Sequence, residues 1–403
     1  MPVALTPVPP PRAPRRGRLR TGRVRCRDDA VVPAAHRGGT VLIQAAPLTR
    51  TIAEIFRAAG TSTAEGERIA NSLVGANLVG HDSHGVGRTL RYVEWLQEGI
   101  QYADKTITIL AEGDAFALVD GNYGFGQTIG VQAVQLGIDK ARTAGVSVIA
   151  LRHSGHLGRI GDWAEMALEA GLISIHFVNV AGGLLVAPFG SIDRRMATNP
   201  VCIGVPVADG PPVLLDFATS LVAEGKVQVA LEGGASLPHG ALIGDDGAFS
   251  DDPHLLYGET KPGRSPNPRK GSGAMVTMGL HKGSGLSILC ELLAGALTGS
   301  GTAGPAPYRF ANGMLSVYID PVVLDVEDRI SSDIKDYLDW FDTARPATPG
   351  GEVLSPGEPE RRKKADRLAN GLTIPEDTWS AILNAADLSG LGRARVAEIF
   401  AEH

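Results

Sequence analysis

Between Gly80 and Arg88 the sequence reads Gly-His-Asp-Ser-His-Gly-Val-Gly-Arg: two imidazoles, a carboxylate, a hydroxyl and a guanidinium among three glycines. Glycine lets the backbone turn sharply and lets a ligand come close. Histidine is the side chain most readily tuned to exchange a proton near neutral pH. His84 or His81 could therefore donate a proton to a substrate carbonyl; the alternative is a polar turn between two helices. Arg88 and Tyr92 are four apart in the helical pattern 87–96, hence on one face. Arg88 there can take a carboxylate in a two-pronged grip, or make a surface ion pair.

Three more corners carry charge beside glycine. Arg152-His153-Ser154-Gly155-His156-Leu157-Gly158-Arg159-Ile160-Gly161 follows an apolar strand and precedes a helix over 162–170. The first N–H groups of that helix, with Arg159, suit a phosphate. His153 and His156 lack an accompanying carboxylate or cysteine cluster, so no metal site is expected. Asp216 ends an apolar run and suits either a ribose hydroxyl or a helix cap. His281, Lys282 and Gly283 open an apolar helix, as a second anion-attracting corner or a polar cap. Gly121–Gln127 is glycine-rich between strand and helix, but its Gly-x-x-Gly-x-Gly spacing is not the Gly-x-Gly-x-x-Gly dinucleotide fingerprint.

These corners need elements to hold them. Ile52, Ile55, Phe56 and Ala59 lie on one face of an opening helix. Ser62 and Glu65 form a capping-box pattern for a second helix running to Gly80. Strands are expected over 115–120, 146–151, 172–180, 213–220 and 314–320. Helices are expected after Gln127 through Ala141, from 218 to 230 and from 286 to 297, with two more around Trp379–Ala386 and 392–400. Residues 231–275, rich in Gly and Pro, read as a long mobile loop.

The chain has 403 residues, 43% hydrophobic, which suits two domains better than one. Three distant cysteines suggest neither a disulfide framework nor a zinc site and fit a cytoplasmic setting. No run of 18 apolar residues argues for a membrane span. Residues 1–46 carry nine Arg against Asp28 and Asp29, a formal +7, leaving −13 on the remainder of a chain whose total is −6. That acidic body argues against nucleic-acid binding by the fold. The Pro/Arg-rich 1–46 segment reads as a disordered tail or as the product of a start assigned too far upstream, with Val41 a candidate start.

Assembled, the segments His81–Gly85, Asp120–Gln127, His156–Gly161, Val186–Gly190, Thr198–Pro200, Asp216–Ser220 and His281–Gly283 resemble the type-2 malate/lactate dehydrogenase family, from about Thr51 onward. Within it, Gly80–Gly85, Arg159–Glu165, Ser174–Phe177 and Leu354–Gly357 are similar to a subgroup of broad 2-oxo acid reductases. The resemblance implies an α/β (α+β) fold with a non-Rossmann nucleotide domain, a mixed and largely antiparallel sheet, and a helical domain built from both chain ends. It implies a nicotinamide-dinucleotide domain over 115–280, a helical substrate and dimerisation domain over 47–114 and 281–403, and a homodimer. It implies a catalytic pair His84 and Ser83, a second acid/base at His156, and substrate binding by Arg88, with Tyr92 beside it. Gly158, Arg159, Ile160, Asp216, Phe217, Ala218, His281, Lys282 and Gly283 match cofactor-contact segments for NAD or NADP, with Asp216 leaning toward NAD. Ser284 departs from the tyrosine common there, and Met196-Ala197 from the usual Leu/Phe-Gly. The expected reaction interconverts a 2-oxo and a 2-hydroxy acid, His84 being the first choice of proton donor and His156 the second. The alternatives are NADPH-dependent reduction of a cyclic imine carboxylate and a non-catalytic dinucleotide sensor.

Overall fold

The structure, a computed structural model, describes residues 39–231, 236–259, 266–304 and 309–402, with the backbone of three short strands before residue 38. Those are β1 (Val24–Arg25), which pairs β2 (Val31–Val32), and β3 (Ala35–Arg37). The rest of the expected tail up to residue 38, Cys26 included, lies outside the described residues. The tail boundary at 46 is too late. β4 (Thr40–Ile43) pairs β3 on one side and β15 (Leu372–Pro375) on the other, and buries Val41 and Ile43. Its alternating Val-Leu-Ile run was masked by the Arg/Pro-rich sequence before it.

Both chain ends build the helical unit, as expected. α1 (Ala45–Ala58) and α2 (Thr63–Leu78) pack with α3 (Thr89–Gln97), α12 (Glu376–Ser389) and α13 (Arg393–Ala401). Their apolar stripes meet in one core containing Leu48, Ile52, Phe56, Leu73, Tyr92, Trp379 and Ile382. Ser62 caps α2 by accepting from the Glu65 amide at 3.2 Å. The reciprocal half of the box is missing, because the Ser62 amide donates to Asp104 and Glu65 is spent on Thr128 and the Asp104 amide.

The second core lies on a seven-stranded sheet. Its strands are β5 (Thr108–Gly113), β6 (Phe116–Asp120), β7 (Val146–Ser154), β8 (Ile173–Val180), β9 (Pro200–Val205), β10 (Val213–Ala218) and β14 (Asn312–Ile319). The order is β10-β9-β8-β14-β7-β6-β5, and only β6 and β7 run parallel. α4 (Gly126–Ala144) makes the β6–β7 crossover and α5 (Gly161–Glu169) follows β7. Gly137 lets α4 sit on the Tyr318 ring, since a Cβ there would lie 2.2 Å from it. The expected domain boundary at 281 is therefore corrected: β14, buried along most of its length, is a central strand of the sheet.

Residues 231–275 are also corrected from an unstructured loop. β11 (Leu242–Ile243), β12 (Phe249–Ser250) and β13 (Ala274–Met275) form a small sheet, which α6 (Glu224–Leu231) and α7 (His254–Tyr257) accompany. Val186, Val227, Leu242, Leu256, Tyr257 and Met275 give it a core. Strands this short fall below any readable periodicity. α8 (His281–Cys290) runs into a π-helical stretch, Glu291–Ala296. α9 (Pro321–Leu324) and α10 (Ile330–Asp342) bury no residue in this chain, and α11 (Glu358–Asn370) returns to the Gly80 turn.

Candidate active site

The Gly80–Arg88 stretch is two successive 3₁₀ turns, Asp82–His84 and Val86–Arg88, between α2 and α3. Arg88 therefore precedes α3 instead of lying on it. Asn77 organises the turn: its Oδ1 accepts from the Val86 amide at 2.8 Å and its Nδ2 donates to Asp82 at 2.6 Å. Gly85 is obligatory, because a Cβ would fall 2.1 Å from Asn77 Oδ1. Asp82 also accepts from Arg367 of α11, so it shapes the turn.

His84 and His156 come together although 72 positions separate them. Their rings stack at 5.6 Å with 3° between planes. Ser83 Oγ is 3.1 Å from His84 Nδ1. His156 Nδ1 is 2.5 Å from the hydroxyl of Tyr92, a fully buried residue of α3. Gln127 of α4 donates to that hydroxyl at 3.3 Å and to the His156 carbonyl at 3.3 Å. Burial, then Arg88 and His81, push His84 down to about 3. Burial, Arg88 and His84 hold His156 well below the ordinary histidine range. Both rings are neutral at pH 7. Burial raises the Tyr92 hydroxyl to about 12, so it stays protonated.

Arg88 is already engaged. Its Nε donates to the Ser83 carbonyl at 2.8 Å and its Nη2 to Glu224 at 3.0 Å, leaving Nη1 without a hydrogen bond among the described residues. Burial works against its charge, and Glu224 outweighs that to raise its pKa. The other Glu224 oxygen accepts from the Tyr257 hydroxyl at 2.6 Å. Gly225 presses on the catalytic turn, where a Cβ would stand 2.4 Å from Ser83 Cβ. The sequence gives no sign of Glu224, Gly225, Tyr257 or Gln127; a lone Glu or Tyr at the end of a short helix carries no periodic signal.

The phosphate corner expected at α5 is corrected. Arg159 is 2% exposed and donates to Asp162 at 3.1 Å and Glu165 at 2.9 Å. The Gly161 amide donates to Asp216 at 2.8 Å, so a resident carboxylate caps α5. Asp216 sits within β10 opposite Cys202, not at a free strand end. His81 stands 3.9 Å from Asp216 and 3.5 Å from Glu360 of α11. Burial raises Asp216, and raises Asp162 to about 6 although its side chain keeps 22% exposure. Gly158 and Ile160 belong to this charged junction, and Phe217 and Ala218 close β10 beside it.

The α8 corner is more open. Leu280, in a left-handed conformation at φ 55°, starts the helix; His281 and Lys282 are exposed, and open space surrounds Gly285. Gly283 is required, since a Cβ would lie 2.2 Å from the Met278 carbonyl. Ser284 Oγ accepts from the Phe189 amide at 3.0 Å, so the departure from tyrosine there has a use of its own. Among the described residues no group of three His, Cys, Asp or Glu could hold a metal ion, and no helix is long and apolar enough to cross a membrane.

The family described as malate/L-lactate dehydrogenase matches residues 43–383. The chain is 37% identical over 346 residues to hydroxycarboxylate dehydrogenase B of Escherichia coli K12, covering 84% of this chain and 92% of that one. The solved malate dehydrogenase of Pyrococcus horikoshii superposes with a TM-score of 0.76 at 26% identity, over 88% and 97% of the two chains. The Δ1-piperideine-2-carboxylate reductase of Pseudomonas syringae superposes with a TM-score of 0.70 at 29% identity, over 86% and 99%. The non-Rossmann sheet, the two-ended helical unit and these matches agree: the chain belongs to the malate/L-lactate dehydrogenase family.

Proposed function

We propose that the protein is an NAD(P)H-dependent reductase of 2-oxo acids, with the proton delivered through Tyr92 and His156. The observation that carries this is the chain Gln127 Nε2–Tyr92 Oη–His156 Nδ1, which ends on a ring stacked against His84. Gln127 donates to Tyr92, so Tyr92 donates to Nδ1 and the ring proton resides on Nε2. When bound, the nicotinamide supplies hydride to C2 of the acid. As the alkoxide develops, His156 Nε2 gives up its proton while Nδ1 takes the proton of Tyr92. The ring stays neutral and the negative charge passes to Tyr92 as a phenolate, which Gln127 Nε2 and the nearby Arg88 charge stabilise until a solvent proton restores it. This favours His156 over His84, which sequence reasoning ranked first. His84, held through Ser83, packs against His156 and orients the carbonyl. Arg88 binds the substrate carboxylate.

His281 and Lys282 would hold the cofactor diphosphate, both side chains at the start of α8 being exposed. Self-association is supported by α9 and α10, whose Val322, Tyr337 and Trp340 are 78%, 60% and 69% exposed among the described residues. Cyclic imine carboxylate reduction is the second reading, favoured by the Pseudomonas syringae structure above. The test is absorbance at the reduced-nicotinamide band, with NADH and NADPH each offered pyruvate, 2-oxoglutarate, phenylpyruvate, oxaloacetate and Δ1-piperideine-2-carboxylate. Oxidation with a 2-oxo acid supports the first reading. Oxidation with the imine alone selects the second. None with any acid revives a non-catalytic sensor.

A further inference from the structure

Arg88, the proposed carboxylate anchor, already carries one carboxylate. A two-pronged grip needs two N–H groups on one edge of the guanidinium. Arg88 spends Nε on the Ser83 carbonyl and one Nη2 hydrogen on Glu224 Oε2 at 3.0 Å. A substrate carboxylate on the Nη1–Nη2 edge would take Nη1 and the second Nη2 hydrogen and so lie beside the Glu224 carboxylate. Glu224 is held in place. Tyr257 of α7 holds its Oε1 at 2.6 Å, and Gly225 locks the start of α6 against Ser83.

Resting on the 2-oxo acid reading above, we propose that Glu224 is a resident counter-ion of Arg88. It remains beside bound substrate and selects acids with one carboxylate over acids with two. A second carboxylate would meet the Glu224 charge in a cleft where the facing imidazoles, His84 and His156, offer no cation. The other buried arginine nearby, Arg159, is consumed by Asp162 and Glu165. Specificity of this kind comes from a repulsive element as much as an attractive one. Glu224 touches the anchor and not the reacting atoms, so it is a positioning and specificity residue.

The test compares the full chain with its E224Q and E224D variants. Steady-state kinetics use pyruvate and oxaloacetate; calorimetry uses oxamate, an unreactive 2-oxo acid analogue. E224Q is expected to lower the KM for pyruvate several-fold, and to raise kcat/KM for oxaloacetate about tenfold more than for pyruvate. E224D keeps the charge on a shorter arm and should keep the preference for pyruvate. Oxamate should bind E224Q about tenfold more tightly than wild type, the same removal of a competing charge. An unchanged or raised KM for pyruvate in E224Q, an unchanged ratio between the two acids, or loss of the preference in E224D overturns the proposal. If wild type turns over neither acid, the proposed function fails and the oxamate titration still decides: tighter binding by E224Q upholds the counter-ion, and equal or weaker binding removes it.

Discussion

In the proposed relay Tyr92 and His156 are the central pair, and each is legible in the sequence for a different reason from the one that joins them. Tyr92 was noticed for lying one helical turn beyond Arg88, and His156 for its place in a glycine-rich strand end. Only folding brings α3 against the end of β7, so the 2.5 Å contact had no sequence signal. Conversely, Arg159 looked like a phosphate ligand because glycines surround it, while its partners Asp162 and Glu165 looked like ordinary helix surface. Replacing His156 by Asn should cost 10²–10⁴ in kcat at about the same dissociation constant for reduced cofactor; stopped-flow turnover and fluorescence titration check the two halves. Arg88→Lys should raise the KM for the 2-oxo acid about tenfold or more, since a point charge cannot reproduce the forked contact. An unmoved KM would take Arg88 out of substrate binding.

At the scale of elements, long periodic helices and strands read through well and short or interrupted ones did not. α1, α2, α4 and β8 fall within a few residues of expectation, because each buries a continuous stripe. β11 and β13 have two residues each and are held by the core that α6 and α7 share with them. The α8 pattern ran on smoothly to Leu297, but Glu291 draws the chain into a π-helical turn by bonding Asn179, Asn199 and the Ala303 amide. The contact between α6 and the catalytic turn gives a test of its own. Gly225→Ala would drive a methyl to 2.4 Å from Ser83 Cβ. It should lower kcat/KM well beyond any change in melting temperature. Gly137→Ala, which meets the Tyr318 ring far from the site, should instead cost about 1–3 kcal/mol of stability and little activity once folded. Equal effects of the two on activity would break this separation.

For the whole molecule, two independent hydrophobic cores meet at the site, and buried histidines tie stability to pH. His176, fully buried on β8 between Ser174 and Ser316, is pushed down to about 3 by burial. Its folded pKa is below its unfolded value of about 6.5, so the unfolded chain binds the extra proton on acidification. Stability is therefore lost as pH falls from about 6.5 toward 3, with His176 alone accounting for on the order of 2 kcal/mol at pH 5. His84 and His156 shift in the same direction and add to the trend. Urea unfolding at pH 7.5 and pH 5 should show that fall, and a flat profile would contradict it. In the proposed relay the same neutrality makes the His156 ring draw its proton from Tyr92. The most direct test is the pH profile of 2-oxo acid reduction in wild type and Tyr92→Phe. The account predicts a kcat independent of pH between 6 and 8 in wild type. In Tyr92→Phe it predicts a loss of about 10²-fold at pH 8 that recovers toward acid, since only the imidazolium form of His156 could then donate. A Tyr92→Phe enzyme with wild-type rate and a parallel profile would contradict the relay.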